Sequence, residues 1–590
     1  MASTDKTDNT ILVGIDFGTT YSGVAFTWSN KVERLEIITS WESELHSNSD
    51  EEKAPTAISF DSKNKVSWGY SVPHDAEQAK WFKLLLIDEK DLPDDVRASA
   101  KIKEARAYLE KHNKSPIEVI AVFLRHLWNH CIQRITATVS RNLVNYSKFH
   151  IVMTLPAIWP EYARGRMKEA ASQAGMLAER IAGETVLTFL SEPEAATLAT
   201  LSDMDGRSDV KAGDSFVVVD CGGGTVDLIS YEVVSIAPMV IKECVQGQGG
   251  LCGAVFVDEA FVDVLNHKLG SKKWAKLSAD SRHRLLHDEW EHGIKPAFDG
   301  RDKTWKLNMP FECLDIESLR AGSEMPKIIL TPMDVRGAFD PTVNKICAMV
   351  GEQVMAVKEK KKAPKYVIMA GGFGRCSYLL AALKKHLGHD IEVLQSRGSG
   401  PWTAICRGAV IHATGLEGFS TFAVDVQARI ARVSCGVKCN ASWSSKKHNP
   451  SDKFWDDRRQ KWKARNQMNW LLEAGDDIST DNSVRSPFTR LYDTDGATKK
   501  TLTTTIYAST ASPLPTTANA DVRKLCNIRW DTKIDIASLP LFTNSIGVIF
   551  YELEFEVEMT CSGGSLDFAV YHNGKRQGSK HVMVDYETRS

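Results

Sequence analysis

Two stretches of the sequence set an aspartate, glycines and hydroxyl side chains in the same order. Ile15-Asp16-Phe17-Gly18-Thr19-Thr20 closes one apolar run, and Val219-Asp220-Cys221-Gly222-Gly223-Gly224-Thr225 closes another. These residue types suit phosphate. Glycine lets backbone N–H groups close on phosphate oxygens with no Cβ in the way, and the hydroxyls of Thr19, Thr20 and Thr225 add further hydrogen bonds. Carboxylates at the strand ends, Asp16 and Asp220, suit a hydrated Mg2+, which keeps several waters and takes one or two carboxylates beside phosphate. A lone Gly-Gly-Gly is most often a plain turn. Two strand-anchored loops, far apart in the chain, instead imply two homologous halves offering hairpins to one nucleotide from opposite sides. A third loop, Met369-Ala370-Gly371-Gly372-Phe373-Gly374-Arg375, also ends an apolar run. Its glycines would admit a flat base, and Arg375 would lay its guanidinium over that base.

Such loops need strands to hold them. Ile11–Asp16, His150–Leu155, Ser215–Asp220 and Lys365–Ala370 are short apolar or β-branched runs with helical patterns between them. That alternation predicts α/β layers over residues 11 to about 415. Ser115-Pro116-Ile117-Glu118 reads as a capping box with Pro at the first helical position. Behind it, Ile117, Ile120, Ala121, Leu124, Leu127, Trp128 and Cys131 recur at helical spacing, which marks a core-facing stripe. Near residue 420 the composition shifts to Thr, Ser and Asp, and Tyr551–Glu558 alternates with period two, predicting a half-buried strand. Cys561-Ser562-Gly563-Gly564 then turns it into a second strand, Leu566–Tyr571. A separate all-β module over residues 425–590 follows from this pattern. The charged, Trp-bearing insert between about 441 and 466 shows no readable period.

Composition narrows the function classes. At 590 residues the chain is long enough for two large domains. Hydrophobic residues at 43% and charged residues at 25% fit a folded, water-soluble protein. Lys plus Arg number 73 against 75 Asp plus Glu, a net charge of −2 that gives no reason to expect nucleic acid as a partner. No run approaches the ~20 apolar residues that span a bilayer. Residues 1–10 form a polar, disordered tail without the pattern of a secretory signal. The 12 scattered cysteines read as reduced thiols of a cytoplasmic protein.

At the loops the chain resembles the ATPase half of the 70-kDa heat-shock protein (DnaK-type) family, within the actin, hexokinase and heat-shock superfamily. Residues 16–23 look like its first phosphate loop, Asp220–Asp227 like its second, and Gly371-Gly372 with Arg375 like its adenosine loop. Thr154-Leu155-Pro156-Ala157-Ile158-Trp159 resembles its Thr-Val-Pro-Ala-Tyr-Phe segment, while Ser191-Glu192-Pro193-Glu194-Ala195-Ala196 and Ala404–Ala409 match its two connecting helices. The resemblance covers residues 11–415 in the right order. It implies an actin-like ATPase fold in two lobes with ribonuclease H-like halves, spanning 11–420 and split near 210. A β-sandwich-like substrate-binding domain would occupy 425–590. It further implies ATP or ADP with Mg2+. Phosphates would be held by Gly18, Thr19, Thr20 and Tyr21 from one side and by Gly222, Gly223, Gly224 and Thr225 from the other. Asp16 and Asp220 would anchor the Mg2+ shell, Glu192 would stand near the attacking water, Lys83 would be the catalytic lysine, and Lys295 would reach the ribose or adenine. Partners would be protein clients or co-chaperones of a monomer.

Four departures qualify the resemblance. Leu251-Cys252-Gly253-Ala254-Val255 replaces the family's Leu-Gly-Gly and two acids, and Phe373 and Gly374 stand where it prefers Ser and Thr. Leu416-Glu417-Gly418-Phe419 replaces an acidic, leucine-rich linker, and no helical lid pattern follows the β module. These features resemble the divergent, lidless branch typified by heat-shock family A member twelve. The leading expectation is therefore a slow ATPase switch; a nucleotide-sensing scaffold without turnover and a small-molecule or sugar kinase are the alternatives. Cys435 and Cys439 lack a second pair at zinc spacing and read as thiols.

Overall fold

The computed structural model describes residues 9–43, 50–73, 75–92, 94–157, 159–203, 209–236, 238–314, 326–361, 363–395, 400–419, 424–431, 433–479, 483–495, 498–562, 565–577 and 584–585. Most of the tail expected at 1–10 therefore lies outside the described residues, as do Ile158, residues 204–208 beside the expected split, and Gly563 and Gly564 of the expected C-terminal turn. The chain divides into two compact units, Met1–Asp425 and Val426–Ser590.

The first unit is α/β. Strands β1 (Thr10–Phe17), β2 (Tyr21–Trp28), β3 (Lys148–Leu155) and β4 (Val186–Ser191) lie in the order β2-β1-β3-β4. β1 runs antiparallel to β2 and parallel to β3, which is parallel to β4. A second sheet contains β5 (Ser215–Cys221), β6 (Val226–Ile236), β7 (Met239–Gly250), β8 (Tyr366–Ala370) and β9 (Glu392–Gln395), ordered β7-β6-β5-β8-β9. Here β5 is antiparallel to β6 and parallel to β8, which is parallel to β9. The same arrangement thus occurs twice: a hairpin, then two strands parallel to its first member. Every residue of β1 and of β5 is buried. Both are central strands, which explains their unbroken apolar runs.

Helices cover the sheets. Helix α1 (Pro116–Val139) starts as its sequence predicts, with Ser115 N–H donating to Glu118 Oε2 at 2.7 Å and Glu118 N–H to Ser115 Oγ at 3.2 Å. Its apolar stripe joins a core with Phe17, Phe82 and Phe149. Helices α2 (Glu192–Asp203) and α3 (Gly400–Leu416) are buried along most of their length. They cross backbone to backbone, because a Cβ on Gly408 would overlap the Ala195 carbonyl oxygen. α3 also rests on β1, where a Cβ on Gly14 would overlap the Cys406 carbonyl oxygen, and α2 packs on β5 and β6. These two helices therefore lock the sheets together.

The described residues of the second unit hold strands and short 3-10 turns. One sheet includes Ser434–Ser442, Lys453–Asp456, Lys461–Leu472, Thr503–Ser509 and Arg523–Arg529; another includes Val484–Asp493, Ile549–Ser562 and Ser565–His572. Cys435, Ile506 and Ile528 from the first and Leu553, Val557 and Val570 from the second share one apolar core. In Ile549–Ser562 the inward residues Leu553, Phe555, Val557 and Met559 are buried, in line with the period-two pattern. The insert with no readable period is a hairpin of Lys453–Asp456 and Lys461–Leu472, on which Trp455 and Trp462 face each other at 5.2 Å and stay exposed.

The α2–α3 crossing yields a stability prediction. Gly408→Val should lower unfolding stability by about 2–3 kcal/mol, because the added carbons must separate two packed backbones. Gly415→Ala, on the same helix with no atom near the new methyl, should cost nothing. Urea unfolding of the full chain compares them; equal stability of Gly408→Val and parent would contradict the packing.

Candidate functional site

The two hairpin loops meet. A Cβ on Gly223 would overlap the hydroxyl of Thr20, and one on Gly224 would stand 3.2 Å from Thr19. The third loop closes on the same place: Gly371, at φ 77°, has no room for a side chain beside the Cys221 carbonyl oxygen and lies against Asp220. Only glycine tolerates both that backbone conformation and that approach. Thr19, Asp16 and Asp220 are buried, and Gly222, Gly223, Thr20 and Tyr21 are half-buried.

Two buried lysines serve this floor. Lys83 sits in the turn Phe82–Leu86, all of which is buried, and its Nζ donates to Glu192 Oε1 at 2.5 Å. Trp81 precedes it in the left-handed region at φ 63°, unusual for an aromatic residue. The Lys83 amine also lies 5.3 Å from the Trp159 ring centre. Sequence reasoning placed Lys83 and Glu192 at the site, and the structure joins them. It missed Lys53, whose Nζ donates to Asp16 Oδ2 at 2.5 Å. The Lys53 stem crosses Gly23, where a Cβ would stand 2.8 Å from its Cγ, and its amine lies 4.7 Å from the Trp402 ring centre.

Register adds a fourth carboxylate. Asp16 is paired with Gly23 across the first hairpin, while Asp220 is paired with Asp227 across the second. Asp227 is buried and bonded to the Thr225 side chain. It was within the motif but unassigned; a charged residue inside the apolar run Val226–Ile229 was the available signal. Burial pushes the Asp227 carboxyl up to about 7, with Glu192 adding repulsion. Asp220 is held well above its ordinary range by burial, then by Glu192, Asp227 and Asp16. Burial raises Glu192 as well, although Lys83 opposes it. Asp220 Oδ1 and Asp227 Oδ1 are buried without a hydrogen-bond partner among the described residues. Orphaned carboxylate oxygens in an anion-rich pocket are the donor chemistry that a hard divalent cation takes, so the residues fit Mg2+.

At the other end, Lys295 Nζ bonds Asp258 at 2.8 Å and Glu291 at 2.6 Å, and Trp290 Nε1 donates to Asp258 at 2.8 Å. Glu291 and Asp258, after burial, raise Tyr21, so this cluster lies within electrostatic reach of the first loop. Arg375 ends the turn Phe373–Arg375 and is exposed, while the flat group lying against Gly372 is the ring of Trp402, which meets Tyr21 edge-on at 5.3 Å.

Comparison with known proteins bears on the family. The family described as Hsp70 protein matches residues 82–453, and a domain of unknown function (DUF8568) matches residues 429–587. Mouse heat shock 70 kDa protein 12A is 23% identical over 80% of this chain and 77% of its own length. Human heat shock 70 kDa protein 12B is 24% identical over 68% of each chain. The chaperone protein DnaK of Thermoplasma volcanium is 26% identical over 45% of this chain and 40% of its own.

Asp227 gives a pH prediction. Its folded-state pKa lies above the unfolded value of 3.8, so its neutral form favours folding below about pH 4, and that contribution is lost as pH rises through about 7. Asp227→Asn should therefore match the parent near pH 4 and exceed it by about 4 kcal/mol above pH 7. Thermal melts across that range, without added metal or nucleotide, check it. A stability difference that does not change with pH would contradict the burial argument.

Proposed function

Starting from the fact that the chain belongs to the Hsp70 protein family, we propose that it is a slow, Mg2+-dependent ATPase switch. Its nucleotide state would govern how the β-rich second unit holds protein clients or co-chaperones, with the chain acting as a monomer. The carrying observation is the meeting of two hairpin loops over four buried carboxylates and two buried lysines. The duplicated strand order supports a two-lobed actin-like fold with ribonuclease H-like halves. The shared core of the second unit supports a β-sandwich. Matches to heat shock 70 kDa proteins 12A and 12B over 80% and 68% of the chain support the divergent lidless branch.

In this reading the chain binds and orients rather than forming a covalent intermediate. Thr19, Thr20 and the Gly222–Gly224 backbone would hold phosphate oxygens, with Gly18 and Tyr21 shaping the first turn. Lys295 and the Gly371-Gly372 loop would bound the nucleoside, with Arg375 reaching in from its exposed turn. Asp16, Asp220 and Asp227 would hold Mg2+, which supplies charge neutralisation at the phosphates. Lys83, positioned by Glu192, would orient the attacking water and offset charge on the phosphoryl group.

A nucleotide-sensing scaffold without turnover is the second reading, favoured by one observation. Asp16 is already neutralised by a buried Lys53, a partner that competes with a metal for the same carboxylate. Single-turnover hydrolysis of radiolabelled ATP separates the two readings. The switch predicts that Glu192→Gln and Lys83→Met each slow the reaction at least ~10-fold. Hydrolysis no faster than in protein-free buffer, or equal rates in parent and both variants, would favour the scaffold.

A further inference from the structure

On the helical stretch that also carries Glu291, three histidines and an aspartate gather on one surface. His283, His287 and Asp288 each present a ligand atom, and these atoms lie within 4.8 Å of one another. The rings of His283 and His287 stack with centroids 4.5 Å apart. His292 joins them, its Nε2 standing 3.2 Å from His287 Nε2.

An uncommon helix brings them together. Arg284–Ile294 is π-helical, so residues five apart come into line. In an α-helix His287 and His292 would point about 140° apart. His283 lies four residues before His287, at the end of the short helix Ala279–His283. π-helical geometry is rare and is frequently found at functional sites.

We propose that His283, His287 and His292, with Asp288, form a binding site for a divalent transition-metal ion, Zn2+ above others. Imidazole nitrogen with carboxylate suits Zn2+, Cu2+ or Ni2+, whereas Mg2+ prefers an all-oxygen shell. Two nitrogens each about 2.05 Å from a tetrahedral Zn2+ stand about 3.3 Å apart, close to the 3.2 Å between His287 and His292. Asp288 Oδ1 lies 3.0 Å from His287 Nδ1. As acceptor of that N–H it fixes the tautomer that leaves His287 Nε2 to face the ion beside His292, the usual way a carboxylate orients a metal-binding imidazole. His283 and His287 are half-buried and His292 and Asp288 exposed, so an ion enters from solvent and water completes its shell. The site differs from the carboxylate floor in chemistry: that floor offers oxygen ligands and suits a hard ion.

Calorimetric titration of the full chain with ZnCl2, and absorption spectra with CoCl2, test the site. The parent should take up a single equivalent of Zn2+ at micromolar concentration. His283→Ala/His287→Ala, and separately the exposed His292→Gln, should each weaken uptake at least ~10-fold with unchanged melting temperature. Co2+ should give weak visible ligand-field bands without the near-ultraviolet charge-transfer band of thiolate ligation. Should the double variant lose its fold, His292→Gln alone decides. No Zn2+ uptake by the parent, parent-like affinity in His292→Gln, or a thiolate band from Co2+ would each overturn the proposal.

Discussion

Asp16, Glu192, Asp220 and Asp227 are buried within electrostatic reach of one another, and Lys53 and Lys83 are the buried cations beside them. Negative charge confined in this way is costly unless it is paired or coordinated, and Glu192, Asp220 and Asp227 are all held above the ordinary carboxylate range. The fold prevents the obvious relief of moving apart. Asp16 and Asp220 end central strands buried along their length, and α2 and α3 pin the two sheets through a glycine contact that leaves no slack. A divalent cation would bring the positive charge that such a floor lacks.

The duplication is not symmetric, and the asymmetry carries chemistry. Where the second hairpin sets Asp227 across from Asp220, the first sets Gly23 across from Asp16. The space Gly23 leaves is filled by the stem of Lys53. One half therefore contributes a pair of carboxylates and the other a carboxylate with its own cation. Trp402 extends this side of the site, lying against Gly372, Tyr21 and the Lys53 amine.

Much of the site was legible because its chemistry is local. Asp, Gly and Thr at the ends of apolar runs mark a strand followed by a tight turn, whatever surrounds them, and Lys83 and Glu192, 109 residues apart, each sat in a recognisable segment. Lys53 was illegible because Glu51-Glu52-Lys53 reads as a solvated charge run; only the folded hairpin shows that it is buried over Gly23. The Trp-bearing insert defeated pattern reading because its hairpin keeps Trp455 and Trp462 exposed, so no face alternates cleanly. Histidines 287 and 292 fall on different faces at the α-helical period, and only the π-helical turn unites them.

Nucleotide titration with and without Mg2+, on the parent and on Asp220→Asn, bears most directly on the buried-carboxylate account. If the floor is short of positive charge, ADP should bind the parent at least ~10-fold more tightly with Mg2+, and removing the Asp220 charge should erase most of that gain. Equal ADP affinity in the parent with and without Mg2+, or no binding at millimolar nucleotide, would contradict it.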